Sequence, residues 1–172
     1  GDAIQEITYE GYGPAGIAFL VEMATDNLNR AAQDVRTIFS KNGGAAASPG
    51  SVSYQFDRKG EIRIEASAID EDRIMEAAIE AGADDVQSDA DEHIIFTAPN
   101  ELGTVANTLR AAGLQTISEK HVSVPQNQTV ISDVEVARQI LKLYDQLDDY
   151  ADTLNVFTNF EVTDEALEQL AS

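Results

Sequence analysis

The chain has 172 residues, 43% hydrophobic and 24% charged, the balance of a folded globular protein with one ordinary domain or two small ones. Its 31 acidic residues outnumber 11 basic ones for a net charge of −20, which repels phosphate backbones and excludes nucleic-acid affinity spread over the whole surface. Cysteine is absent, so disulfides, thiolate metal sites and a cysteine nucleophile are excluded, and no apolar run approaches the roughly 20 residues that span a membrane. There is no signal-peptide pattern, so the expected location is cytoplasmic. A first residue of Gly rather than Met points to a fragment or a processed product.

Residues 4–12 alternate loosely between apolar and polar, as an edge strand does. Gly11-Tyr12-Gly13-Pro14-Ala15-Gly16 then spells G-x-G-x-x-G, the letters of a dinucleotide-binding loop. Such a loop must open a helix whose N–H groups meet the pyrophosphate. Here Ile17-Ala18-Phe19-Leu20-Val21-Glu22-Met23 follows, β-branched and apolar, so the reading is strand, turn, strand, and no cofactor is expected. The glycines are expected to let the backbone at Tyr12 approach a neighbouring domain or a nucleic-acid backbone closely.

Thr25 or Asp26 caps a helix with Leu28, Ala32, Val35 and Phe39 on its apolar face, and Gly43-Gly44 ends it. Ala45 to Ser51 reads as a turn, and Val52 to Phe56 as a half-buried strand. Ile62 to Ala66 is a strand, Asp70 to Ala81 a helix, Val86 the centre of a short strand, and His93 to Thr97 another. Pro99 opens a helix with Leu102, Val105, Ala106 and Leu109 inward. Gly113 stops it, and a strand runs from Gln115 to about Val124. This β-α-β-β-α-β order is the ferredoxin-like unit. Thr129-Val130-Ile131 is then a short strand. Ser132-Asp133-Val134-Glu135 reads as a capping box, opening a helix with Val134, Ala137, Ile140, Leu141, Tyr144 and Leu147 inward. Asn155 to Phe160 is a strand, and a terminal helix follows Thr163. The predicted fold class is α+β: two ferredoxin-like domains, the second (59–121) inserted into the first (1–58 plus 122–172).

Candidate chemistry is sparse. His93 and His121 stand at strand positions outside any metal-ligand spacing, and no G-x-S-x-G elbow is present, so neither a metal site nor an enzyme is predicted. Asp70-Glu71-Asp72 and Asp164-Glu165 complement helix dipoles, while Asp145, Asp148, Asp149 and Asp152 make an acidic helix end. Six of the 11 basic residues (Arg30, Arg36, Lys41, Arg58, Lys59, Arg63) fall between positions 30 and 63, opposed by Asp34, Asp57 and Glu61 alone. They are either solvated salt-bridge partners or the surface that meets an anion. In Thr25-Asp26-Asn27-Leu28-Asn29-Arg30, the side chains either cap and tie the loop or present donors to a phosphate or an RNA edge.

Four ordered motifs resemble one family. Tyr9-Glu10-Gly11-Tyr12-Gly13-Pro14-Ala15-Gly16, Thr25-Asp26-Asn27-Leu28-Asn29-Arg30, Phe39-Ser40-Lys41-Asn42-Gly43-Gly44 and residues 50–60 are similar to the YebC/PmpR family, as are Pro125-Gln126 and the helix starting at Asp133. Its mitochondrial relative is the translational activator of cytochrome c oxidase, and an organellar member would sit in the matrix. Leu28 stands where a basic residue is common, and Ala45-Ala46 where a polar-Leu pair is usual. The resemblance implies a basic N-terminal helical domain, the part best suited to hold nucleic acid, followed by two α+β domains corresponding to this chain. It implies a regulator of gene expression, as a DNA-binding transcriptional regulator or a ribosome-associated translation factor, with DNA, ribosomal RNA or the ribosome as partner. Tyr12, Asn27, Asn29, Arg30, Arg36, Lys41, Asn42, Arg58 and Lys59 are the expected contacts. A small-molecule-binding regulatory module is the alternative, because ferredoxin-like pairs often hold ligands.

Overall fold

A computed structural model describes residues 3–172. Strand β1 (Gln5–Tyr12) turns into β2 (Ala18–Thr25), followed by helix α1 (Leu28–Lys41) and a short β3 (Ala45–Ala47). Next come β4 (Phe56–Glu65), α2 (Glu71–Ala81), β5 (Asp85–Ser88), β6 (Glu92–Thr97), α3 (Leu102–Ala111) and β7 (Ser118–Pro125). β8 (Thr129–Ile131), α4 (Val134–Asp149), β9 (Thr153–Thr158), β10 (Phe160–Val162) and α5 (Asp164–Ala171) close the chain. These gather into two compact units, one running to Asp57 and resuming at Val124, the other Arg58–Ser123. Each is a mixed α/β arrangement of helices on an antiparallel sheet.

In the first unit the sheet order is β3-β1-β2-β9, and each neighbouring pair is antiparallel. Strand periodicity sends Ile17, Phe19, Val21 and Met23 to one face. There they bury against Ala31, Val35 and Phe39 of α1 and Ala137, Ile140, Leu143 and Leu147 of α4. Ala18 and Leu20 point the other way, under Val52 and Phe56. β8 and β10 form a separate parallel pair. In the second unit the order is β5-β6-β4-β7, with Ile74 and Ala78 of α2 and Leu102, Val105, Ala106 and Leu109 of α3 packed on Ile62, Ile64, Val86 and Ile95.

Several local expectations are corrected. β1 is an edge strand only over residues 5–9, because β3 pairs with it at Glu10, Gly11 and Tyr12. Ala45–Ala47 is that strand rather than a turn: Gly43, at φ +78°, reverses the chain after α1 and lays it beside β1. Ser53–Gln55 forms a 3-10 turn where alternation predicts strand; backbone bonds to Glu10 and the burial of Val52 override the pattern. Asn27 caps α1, not Thr25 or Asp26, its Oδ1 accepting from the Arg30 N–H at 3.0 Å. Asp133 caps α4 in place of Ser132, accepting from the N–H groups of Glu135 and Val136. On α1 the inward residue of the first turn is Ala31, and Leu28 is 38% exposed; on α4 Leu143 is buried and Leu141 only partly so.

The glycine run is a packing device. The turn between β1 and β2 uses its own amides, Gly13 N–H donating to Ile17 O at 2.8 Å and Gly16 N–H to Gly13 O at 3.2 Å, which leaves no cradle of free donors. Gly11 lies beneath the ring of Phe39, and a Cβ there would stand 2.6 Å from Phe39 Cε1. Phe39 in turn meets Phe19, the cross-strand neighbour of Gly11, edge to face at 5.8 Å between centroids. Close approach is therefore the reason for glycine, as expected, but the neighbour is α1 itself. Gly11→Ala is expected to destabilise the fold by about 1–3 kcal/mol through overpacking, as read by urea unfolding. Combining it with Phe39→Leu should cost clearly less than the sum of the two single changes.

Candidate nucleic-acid interface

Helix α1 with its two caps carries six of the nine predicted contacts, and its two ends are built differently. At the start, β2 ends on Thr25, whose Oγ1 accepts from the Asn27 N–H at 3.1 Å. Asn27 is committed to the cap. Asn29 is exposed beside a pocket of about 460 Å³ also lined by Gln5, Thr25, Asp26 and Leu28. Arg30 is not free: its Nη2 donates to Asp26 Oδ1 at 3.1 Å and to Asp152 Oδ2 at 3.2 Å. The Asp152 bond, with Tyr150 beside it, holds the guanidinium pKa above its ordinary value. Tyr150 donates to Asp34 Oδ2 at 2.6 Å, and burial together with that bond pushes its phenol up to about 12. Arg30 and Asp34 thus stitch α1 to the segment between α4 and β9.

At the far end, Arg36 and Lys41 are exposed. Asn42, expected as a contact, is only 9% exposed and caps the helix. Its Nδ2 donates to Ile38 O and to Gln146 Oε1 of α4, each at 2.7 Å, so it positions the helix end rather than meeting a partner. Tyr12 is half-buried on the opposite face of the sheet, donating to Ser51 O at 3.1 Å. Arg58 and Lys59 lie on β4 within the second unit, Arg58 exposed and donating to Ser123 Oγ at 3.3 Å, Lys59 half-buried. Arg63, also on β4, is clamped by Glu61 and Glu92. The basic window of the sequence is therefore split between α1 and β4, and Arg30 and Arg63 are ion-pair partners.

His93 is buried, with Nδ1 2.7 Å from Ser88 Oγ and Nε2 2.7 Å from Ile69 O; His121 Nε2 lies 2.9 Å from Pro99 O. Sequence reasoning missed Glu10. Its carboxylate is buried on β1 and accepts from the N–H groups of Gly50, Val52 and Ser53 at 2.7, 2.9 and 2.8 Å. A Glu at an outward strand position gives no sequence signal of this, since the partner loop lies 40 residues on. Burial pushes the Glu10 pKa up, but the three amides and the Ser53 side chain outweigh it and hold it below the usual carboxylate value.

Glu10→Gln is expected to lose about 1–3 kcal/mol at neutral pH, because an amide NH₂ then faces backbone donors. A depressed folded pKa gives stability that is present above the unfolded value of about 4.3 and lost as pH falls through the folded one. In urea unfolding the gap between wild type and variant should therefore close on acidification.

The chain matches known proteins along nearly its whole length. A family model described as the second and third domain of TACO1/YebC matches residues 4–160. A protein of Akkermansia muciniphila named as a probable transcriptional regulatory protein is 58% identical over 172 residues, covering 99% of this chain and 68% of its own length. A protein of Acinetobacter baylyi with the same designation is 47% identical over 169 residues, covering 98% and 68%. The crystal structure of a conserved hypothetical protein from Aquifex aeolicus superposes with a TM-score of 0.90 at 39% identity, over 96% of this chain and 68% of that one. At these identities and coverages, the chain belongs to the TACO1/YebC family.

Proposed function

We propose that the chain is a non-enzymatic regulator of gene expression, acting in the cytoplasm, that engages nucleic acid through the outer face of α1. The observation that carries this is the charge on that helix. Arg36 and Lys41 are exposed and make no ion pair among the described residues, while the only acid on α1, Asp34, accepts from Tyr150. Cations free of carboxylates are what a phosphate backbone selects in a chain of net charge −20. The naming of the relatives from Akkermansia and Acinetobacter as probable transcriptional regulatory proteins supports a regulatory role. DNA-bound and ribosome-bound action both fit the same face. At the level of fold, we read the second unit as ferredoxin-like, and the first as a permuted relative in which β1 supplies the strand that otherwise precedes α4.

A small-molecule regulatory site is the second reading, favoured by the size of the pocket beside Asn29, since ligand pockets run to roughly 300–1,000 Å³. Stabilisation in a thermal-shift screen of nucleotides and amino acids would support it.

The primary reading is tested by fluorescence anisotropy on duplex DNA and by co-sedimentation with ribosomes, each across a salt series. Arg36→Ala and Lys41→Ala should weaken binding without changing sequence preference, each lowering the salt slope by about 1. Arg30→Ala should have the smaller effect because its guanidinium is already neutralised. Binding that ignores both Arg36 and Lys41 at every salt concentration would remove α1 from the interface.

A further inference from the structure

Building on that reading of α1, we propose that Lys41 and Lys142 form a seat for one backbone phosphate of a nucleic-acid strand. The chain has only four lysines, and these two line the same pocket, from helices α1 and α4, together with Gln139, Asn42 and Gly43. Neither makes an ion pair among the described residues, and Asp145, three positions along α4 from Lys142, does not approach it as one. Arg30, Arg63, Arg73, Arg110 and Arg138, by contrast, are each matched with a carboxylate. Two uncompensated cations sharing a recess in so acidic a chain repel each other until an anion arrives.

The dimensions select the ligand. The pocket holds about 200 Å³, below the range of small-molecule sites but enough for a tetrahedral anion and a few waters at roughly 30 Å³ each. A helix C-terminus ordinarily disfavours anions. Here the side chain of Asn42 covers the Ile38 carbonyl, and the N–H groups of Asn42 and Gly44 take that of Phe39, at 3.1 and 2.9 Å. That blunts the negative end beside Lys41. The Asn42–Gln146 bond fixes α1 to α4 and so sets the spacing of the two helices from which the lysines reach. Lysine acts on phosphate as a point charge, and the Gln139 amide offers a neutral donor beside it. No linear motif marks this seat, because its halves lie 101 positions apart in sequence.

The test is an amide NMR titration of the full chain with inorganic phosphate and, separately, with a mixed-sequence single-stranded oligonucleotide. Wild type, Lys41→Gln with Lys142→Gln, and Lys120→Gln would be compared; Lys120, exposed on β7, controls for net charge. The expected result is saturable shifts at Gly43, Gln139 and Lys142 with both probes, absent in the double variant and intact in Lys120→Gln. The oligonucleotide salt slope should fall by about 0.7 in the double variant, the loss of one phosphate contact on a single strand. Unchanged thermal unfolding would show that the double variant is folded. If the oligonucleotide binds wild type and double variant alike, the seat is overturned and the nucleic-acid reading stands. If phosphate fills the pocket but the oligonucleotide binds nowhere, the seat belongs to a free anion, and both the proposal and the nucleic-acid reading fall.

Discussion

Phe39 sits on bare backbone. Helix α1 can lie close to its sheet only because β1 carries no side chain at position 11, where the ring comes down, and because Phe19 on the neighbouring strand meets that ring edge on. An aromatic ring on a glycine seat is a steep, short-range constraint, since interiors pack at crystal density and do not deform smoothly. The ring fixes the rotation of α1 about its axis. That decides which residues of the helix reach solvent, and the placement of Arg36, Lys41 and the buried Asn42 follows from it. The last turn then places the two glycines that reverse the chain into β3, so the seat also determines how far β1 is covered.

Charge in this molecule is a matter of pairing more than of totals. A run of basic residues in sequence reads as a positive surface, but Arg30 is matched by Asp26 and Asp152, and Arg63 by Glu61 and Glu92. Exposed pairs such as Arg30–Asp26 add little stability, on the order of 0–1 kcal/mol. Their larger effect is to cancel the field that a distant polyanion would feel. What remains is a small number of separate cations in an acidic surround, which makes the location of each one more informative than the net charge.

The parts that were legible in the sequence follow local rules. Period-3.6 patterns located α1, α2, α3 and α4, Asp70 and Thr163 sit at the caps of α2 and α5, and glycines ended α1 and α3. The letters G-x-G-x-x-G were rightly read as strand, turn, strand from the apolar run that follows them. What failed depended on distant partners. Alternation at Val52–Phe56 was overruled because Glu10, far back in the chain, draws the amides of Gly50, Val52 and Ser53 into a turn. Asn27 caps α1 in place of Thr25 or Asp26 because of where β2 ends, which its pairing with β1 and β9 decides. Asn42 and Lys41 are adjacent letters with opposite fates, one buried against Gln146 and one exposed, and only the packing of α1 on α4 separates them.

Gln126 closes the first unit where the chain leaves and returns. Its N–H donates to Gln55 O at 2.9 Å, and its Nε2 to Tyr54 O and Asp57 Oδ1, both at 3.1 Å. Asn159 reaches Gln55 as well and accepts from the Ala18 N–H, tying the junction into β2. In polymer terms, the first unit need not treat Arg58–Ser123 as a long floppy loop. The ends of that segment are already pinned side by side, so most of the loop-closure entropy is met when the second unit folds upon itself. The discontinuous unit is then nearly continuous thermodynamically, the loop it must close being as short as the gap between the pinned ends. A segment attached in this way can lengthen, shrink or diverge over evolutionary time with little strain reaching the sheet beneath Phe39.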